Sequence, residues 1–167
     1  MIKILKNVFN DEELNEILKD FNKKKELNCW NFSNFSWSKE LYEEGICGQV
    51  SFSMTSSEVG QIIANKIKHL IPTSKFLMTQ HFLWNSLSGI NEHDDTHYTF
   101  GATLYLNKNW NINWGGLFLY KEENEWKAIV PEFNTIVFNF NYTDHLVTLV
   151  SPTIKEPRQT VQIWGLN

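Results

Sequence analysis

The sequence predicts a mostly β chain with helices at its N-terminal end (an α+β class), and three observations predict it. Two amphipathic helical patterns fall before residue 72, seven short β-branched or aromatic runs follow from Lys75 onward, and no helical pattern interrupts those runs. Strands spaced in this way, without crossover helices, build an antiparallel sandwich or barrel and not a βαβ fold. A length of 167 residues with 42% hydrophobic and 20% charged residues suits a single domain, residues 1–167, and excludes a disordered chain.

The first helix is expected over Asp11–Lys24. Leu14, Ile17, Leu18 and Phe21 fall on one face, Asn10 is placed to cap it with Glu13 completing a capping box, and Phe9 is placed to staple onto Leu14. The second shows the same grammar, with Thr55 and Glu58 as its box, an apolar face of Val59, Ile62, Ile63, Ile67 and Leu70, and Pro72 as its stop. The strand runs are Phe76–Trp84, Tyr98–Leu106, Gly116–Tyr120, Trp126–Val130, Thr135–Phe140, Leu146–Val150 and Thr160–Trp164. The expected organisation is therefore a helical part, 1–72, followed by a β core over about 75–167.

Fifteen Lys and Arg against nineteen Asp and Glu give a net charge of −4, which argues against a nucleic-acid-coating surface or an electrostatic membrane anchor. No apolar stretch is long enough to span a membrane, the N-terminus makes a poor signal peptide, and Cys29 and Cys47 form no CxxC pair. The expectation is a cytoplasmic protein with reduced thiols.

Polar ligands concentrate at Asn91-Glu92-His93-Asp94-Asp95-Thr96-His97. Two metal readings compete there. In an extended chain His93 and Asp95 leave the same face; in a helix His93 and His97 form an H-x-x-x-H pair with Asp94 as base. The extended reading gains from His145, fifty-two residues further on, because two imidazoles and one carboxylate are the ligand set of non-haem Fe(II) sites. It gains again from Arg158, thirteen positions after His145: an arginine facing a β core is costly unless it meets an anion, and a guanidinium pairs bidentately with a carboxylate.

Together with Tyr105-Leu106-Asn107-Lys108-Asn109-Trp110, Gly115-Gly116, Pro131 through Phe140 and Arg158 through Trp164, these residues resemble the Fe(II)- and 2-oxoglutarate-dependent oxygenases, in particular their prolyl 4-hydroxylase-like branch. The resemblance runs in order from about Phe76 to the C-terminus. It implies a double-stranded β-helix, or jelly roll, packed on one or two amphipathic helices. It also implies that His93, Asp95 and His145 ligate Fe(II), that Arg158 and the Tyr105 hydroxyl hold the distal carboxylate of 2-oxoglutarate, and that Thr103, Phe118, Val147 and Trp164 line the cosubstrate pocket. Parity agrees for one pair, since Thr103 and Tyr105 share a strand face. The activity so implied is O₂-dependent hydroxylation of a C–H bond with release of succinate and CO₂, ascorbate serving as an optional reductant. The substrate expected from this branch is a prolyl residue of a peptide or protein. A small molecule or free amino acid is the alternative, and a metal-binding module without turnover is the alternative of another class.

Trp30, Phe32, Phe35 and Trp37 form an aromatic stretch that reads either as an edge strand or as a substrate lid. His81 reads as a buried, hydrogen-bonded histidine; His69 and His97 are not expected to be ligands.

Overall fold

The computed structural model describes residues 1–32, 38–71 and 76–166. In chain order its elements are β1 (Ile2–Lys6), α1 (Asp11–Glu26), β2 (Asn31–Phe32), α2 (Lys39–Glu43), β3 (Val50–Met54), α3 (Ser57–Ile67), β4 (Phe76–Trp84), β5 (Ile90–His93), β6 (Phe100–Tyr105), a 3-10 turn (Ile112–Trp114), β7 (Phe118–Glu122), β8 (Glu125–Ile129), β9 (Thr135–Asn139), β10 (His145–Val147) and β11 (Arg158–Leu166). They form a seven-stranded sheet in the order β1-β9-β6-β11-β4-β3-β2 and a four-stranded sheet in the order β5-β10-β7-β8. All pairings between these strands are antiparallel. The mostly β expectation holds, and the two sheets make the jelly roll that the resemblance implied.

Helix α1 starts as expected. The Asn10 side chain accepts from the Glu13 N–H and the Glu13 carboxylate accepts from the Asn10 N–H, which satisfies two donors that a helix start leaves open. Helix α3 is capped one residue later than expected: Ser56, not Thr55, accepts from the Val59 N–H. Thr55 is drawn off by the sheet, where its hydroxyl lies 2.5 Å from that of Thr79. The second helix also ends at Ile67 with Lys68 as its cap, and Pro72 lies outside the described residues.

The first seventy residues are not helical alone. β1, β2 and β3 all join the large sheet, β1 beside β9 and β3 beside β4. These runs were missed because Ile2–Lys6 and Val50–Met54 are short and acquire their pairing from strands more than twenty residues distant.

Strand alternation sorts the core into two layers. Phe100, Ala102 and Leu104 of β6 and Val161 and Ile163 of β11 face Leu14, Ile17 and Phe21 of α1 and Val59, Ile63 and Ile67 of α3. The intervening residues point between the sheets, where Trp84, Tyr105, Phe118, Val137 and Val147 form the second layer. Both faces of β6 are buried along its whole length, which explains its unbroken apolar run. No described helix is long and apolar enough to cross a membrane.

Candidate active site

The three residues His93, Asp95 and His145 converge at one end of the cleft between the sheets. One ligand atom of each lies within 4.8 Å of the others, a spacing that suits a single metal ion. The two histidines meet because β5 and β10 pair with His93 directly opposite His145, and their ring centroids are 4.1 Å apart. Asp95 arrives differently from the expected strand alternation. Its φ is +59°, so the chain leaves the strand after His93 and turns back. A left-handed residue without glycine costs about 1 kcal/mol, and aspartate is among the residues that tolerate it. Asp94 helps to shape this turn by accepting from the Thr96 N–H at 3.1 Å. The result places Asp95 Oδ1 3.7 Å from His93 Nε2 and Oδ2 3.4 Å from His145 Nε2.

Both rings are held from behind. His93 Nδ1 lies 2.7 Å from the Asn91 carbonyl and His145 Nδ1 2.9 Å from the Thr143 carbonyl. A carbonyl only accepts, so at His93 the Nδ1 carries the proton and Nε2 turns a lone pair towards the centre. His145 Nδ1 meets both the Thr143 carbonyl and, at 3.0 Å, the Asn139 Nδ2. Burial, aided by the neighbouring His145, holds the His93 imidazolium down from its ordinary pKa and so favours the neutral ring a metal requires. Asn139, which the sequence reading did not single out, bonds both the N–H and the carbonyl of Thr143 and so braces the turn that leads to His145. Gly101 completes the cradle: a Cβ there would stand 2.7 Å from Asp95 Oδ2.

The helical H-x-x-x-H alternative fails on this geometry. His93 ends a strand, His97 is exposed, and no described helix includes either. His69 is exposed as well, while His81 is fully buried and bonded to Asp20 at 2.8 Å.

Arg158 is the most unusual group in the chain. It is 0% exposed, and Nε, Nη1 and Nη2 are all buried without a hydrogen-bond partner among the described residues. The guanidinium lies 4.5 Å over the Trp84 ring and 5.2 Å from that of Tyr105, whose own hydroxyl is buried and unpartnered. Burial lowers its pKa to about 10 with Tyr105 opposing the shift, so it remains a cation at neutral pH. Burial likewise pushes the Tyr105 phenol up, leaving a neutral O–H. Two ring contacts contribute about 1–4 kcal/mol at most. Desolvating an ion costs several kcal/mol, so the rings do not offset it. The donors fit an anion that the chain itself does not supply.

Thr103, Phe118, Val147 and Trp164, all named from the sequence, line the small cavity that contains the three clustered residues. Trp84 is also on its wall and carries the Arg158 guanidinium over its ring, while Arg158 and Tyr105 do not themselves line the cavity. Gln162 was missed, although its parity with Arg158, Thr160 and Trp164 on β11 could have found it. It accepts from the Thr103 hydroxyl at 2.8 Å. The Gly115-Gly116 pair makes a tight entry into β7. Both have positive φ, and a Cβ on Gly116 would meet Arg158 Cδ at 2.7 Å. The long interval between His145 and Arg158 runs beside this entry, held by a Gly115–Val150 bridge.

A second, wider groove opens from the cluster and is lined by Phe32, Phe52, Met78, Gln80, Tyr98 and Trp164 among others. Of the proposed lid, Phe32 lies on this groove, Trp30 packs against Phe21 in the helix-side core, and Phe35 and Trp37 fall outside the described residues.

A jelly roll enclosing two histidines, an aspartate and an unpaired buried arginine defines the class, and the comparisons agree. Residues 80–165, a little over half of the chain, match the sequence profile of the 2OG-Fe(II) oxygenase superfamily. The chain belongs to that family, whose members use Fe(II), 2-oxoglutarate and O₂. Among solved structures it is similar to a Pseudomonas putida prolyl-4-hydroxylase at TM-score 0.75, with 11% identity over 99% of this chain and 92% of that one. It is similar to a Trichoplax adhaerens prolyl hydroxylase in complex with a hypoxia inducible factor peptide fragment, at TM-score 0.73 and 18% identity over 99% and 83%. The carbocyclase SnoK of nogalamycin biosynthesis matches at TM-score 0.68 and 11% identity over 98% and 78%. No curated protein sequence matches the chain.

Proposed function

We propose that this protein is a 2-oxoglutarate-dependent dioxygenase that hydroxylates a C–H bond of a prolyl residue in a peptide or protein, acting in the cytoplasm. The observation that carries the reading is Arg158, a buried cation without a hydrogen-bond partner among the described residues. It is stacked on the Trp84 ring, which lines the cavity of the His-Asp-His cluster. His93, Asp95 and His145 would hold Fe(II) through two Nε2 atoms and a carboxylate oxygen, which fits a metal of borderline softness and leaves coordination positions open. Bound there, the iron supplies oxygen activation: 2-oxoglutarate is oxidised to succinate and CO₂, one oxygen atom of O₂ entering succinate and the other the C–H bond. Arg158 offers a planar fork and Tyr105 a neutral hydroxyl to the distal carboxylate. Trp84 fixes the plane of that fork. The Asn91 carbonyl keeps His93 Nδ1 protonated, and Thr143 with Asn139 fixes the His145 ring, so both rings are oriented before metal enters. Phe118 and Val147 exclude water from the chamber.

The groove favours an uncharged substrate. Beyond His93 and Asp95, its described lining contains no group charged at neutral pH, and aromatic and aliphatic side chains dominate it. A free amino acid would bring an ammonium and a carboxylate with nothing there to pair them. A prolyl ring within a peptide brings neither. Succinate release measured with proline-containing peptides, with free proline and with no substrate tests this directly. Peptide-stimulated succinate supports the proposal; stimulation by the free amino acid alone overturns the peptide assignment; no succinate under any condition leaves a metal-binding module.

A further inference from the structure

Resting on the assignment of Arg158 to 2-oxoglutarate, the geometry points to Asn107 as the residue that positions that arginine, and thereby sets affinity for the distal carboxylate. Strand β6 ends at Tyr105, and its pairing with β11 ends at Tyr105 opposite Thr160. Arg158 is the first residue of β11, two positions before that last pair and directly after Pro157, which has no N–H to give to a ladder. On the β4 side this end is paired, with Trp84 opposite Arg158 and Leu83 opposite Gln159, but on the β6 side the ladder has stopped. There the Asn107 side chain extends the ladder by acting as one more peptide group. Its Nδ2 donates to the Pro157 carbonyl at 3.0 Å, and its Oδ1 accepts from the Gln159 N–H at 2.6 Å. The Leu106 N–H adds a bond to the Gln159 carbonyl at 3.0 Å.

The backbone is therefore gripped on both sides of Arg158 by a single amide that is only 3% exposed. This matters because the guanidinium has no hydrogen-bond partner among the described residues to orient it. Its aim rests on its backbone anchor, on the Trp84 and Tyr105 rings, and on the space left by Gly116. Asn107 touches neither the metal cluster nor the cavity wall, so its effect passes through Arg158. Of the Tyr105-Leu106-Asn107 run, the tyrosine thus faces the anion and the asparagine holds the cation.

The test is calorimetric titration of the Mn(II)-loaded protein, without turnover, using 2-oxoglutarate and, separately, 2-oxobutyrate, which has the same keto acid head and no distal carboxylate. Asn107→Ala is expected to weaken 2-oxoglutarate about tenfold, the loss of one to two hydrogen bonds. It should leave 2-oxobutyrate and Mn(II) within about twofold, and add little in an Arg158→Ala background. An unchanged 2-oxoglutarate affinity overturns the inference, as does an equal loss for both keto acids. Should the alanine variant not fold, Asn107→Ser carries the same comparison with about a threefold loss expected. If the unaltered protein binds 2-oxobutyrate no more weakly than 2-oxoglutarate, the assignment of Arg158 itself fails, an outcome distinct from a null result in the variant.

Discussion

Two buried ionisable clusters lie on opposite faces of the large sheet, and they are built in opposite ways. On the helix side, Asp20 of α1 accepts from the Ser56 N–H at 2.9 Å and meets His81 of β4 at 2.8 Å. Asp20 Oδ2 takes both bonds, and among the fully buried side-chain atoms of the pair His81 Nδ1 lacks a partner in the described residues. Between the sheets, Arg158 and Tyr105 are equally buried, but among the described residues none of their side-chain polar atoms has a hydrogen-bond partner. A protein selected for packing alone would not leave five N–H donors dry. The first cluster ties two helices to a strand; the second stores unmet hydrogen-bonding capacity for a ligand.

The contrast breaks most sharply at the His-Asp-His cluster. Asp95→Ala should reduce metal affinity and turnover by well over the roughly 10–100-fold typical of residues behind the ligands, measured by metal titration and succinate release. The next largest effects have opposite signs. Asp20→Ala leaves the Ser56 N–H and His81 without their acceptor and should destabilise the fold by about 2–4 kcal/mol. Arg158→Met replaces an unpaired buried cation by an apolar chain of similar length and should stabilise the ligand-free protein by about 1–4 kcal/mol in urea unfolding. The unaltered protein should recover about 2.7 kcal/mol at 2-oxoglutarate concentrations a hundredfold above Kd, and Arg158→Met none.

Smaller changes sharpen the same comparison. Gly116→Ala would force a Cβ against Arg158 at a φ of +62° and should cost about 1–2 kcal/mol while weakening 2-oxoglutarate. The smallest effect is in pH. Burial holds the His81 pKa below its unfolded value of about 6.5, so the unfolded chain takes up a proton that the folded one refuses. Stability should then decline as pH falls below about 6.5, by at most ~1.4 kcal/mol per unit from this group, and less steeply in His81→Gln. His93 adds a shift of the same sign, so the comparison is made between the two proteins and not against a flat line.

How much of this was legible in the sequence follows the range of the interactions involved. The run Phe76–Trp84 coincides with the described β4, because Lys75 before it, Asn85-Ser86 after it and the apolar and aromatic residues within it mark it locally. The His-Asp-His set and Arg158 were legible from residue type and spacing. The left-handed turn at Asp95 was not, since aspartate allows that conformation without demanding it. β1 and β3 were missed because their strand character comes from partners far along the chain. The groove position of Phe32 and the core position of Trp30, two residues apart, depend on where a short edge strand docks, which no local pattern reports.

The central claim is that the buried guanidinium and the His-Asp-His cluster form one site for a metal and a keto dicarboxylate. Anaerobic addition of 2-oxoglutarate to the Fe(II)-loaded protein, followed by visible absorption, tests it most directly. The account predicts a saturable charge-transfer band, abolished in Asp95→Ala and reached in Arg158→Met only at far higher 2-oxoglutarate. No band in the unaltered protein, or a band with the same half-saturation in Arg158→Met, would contradict it.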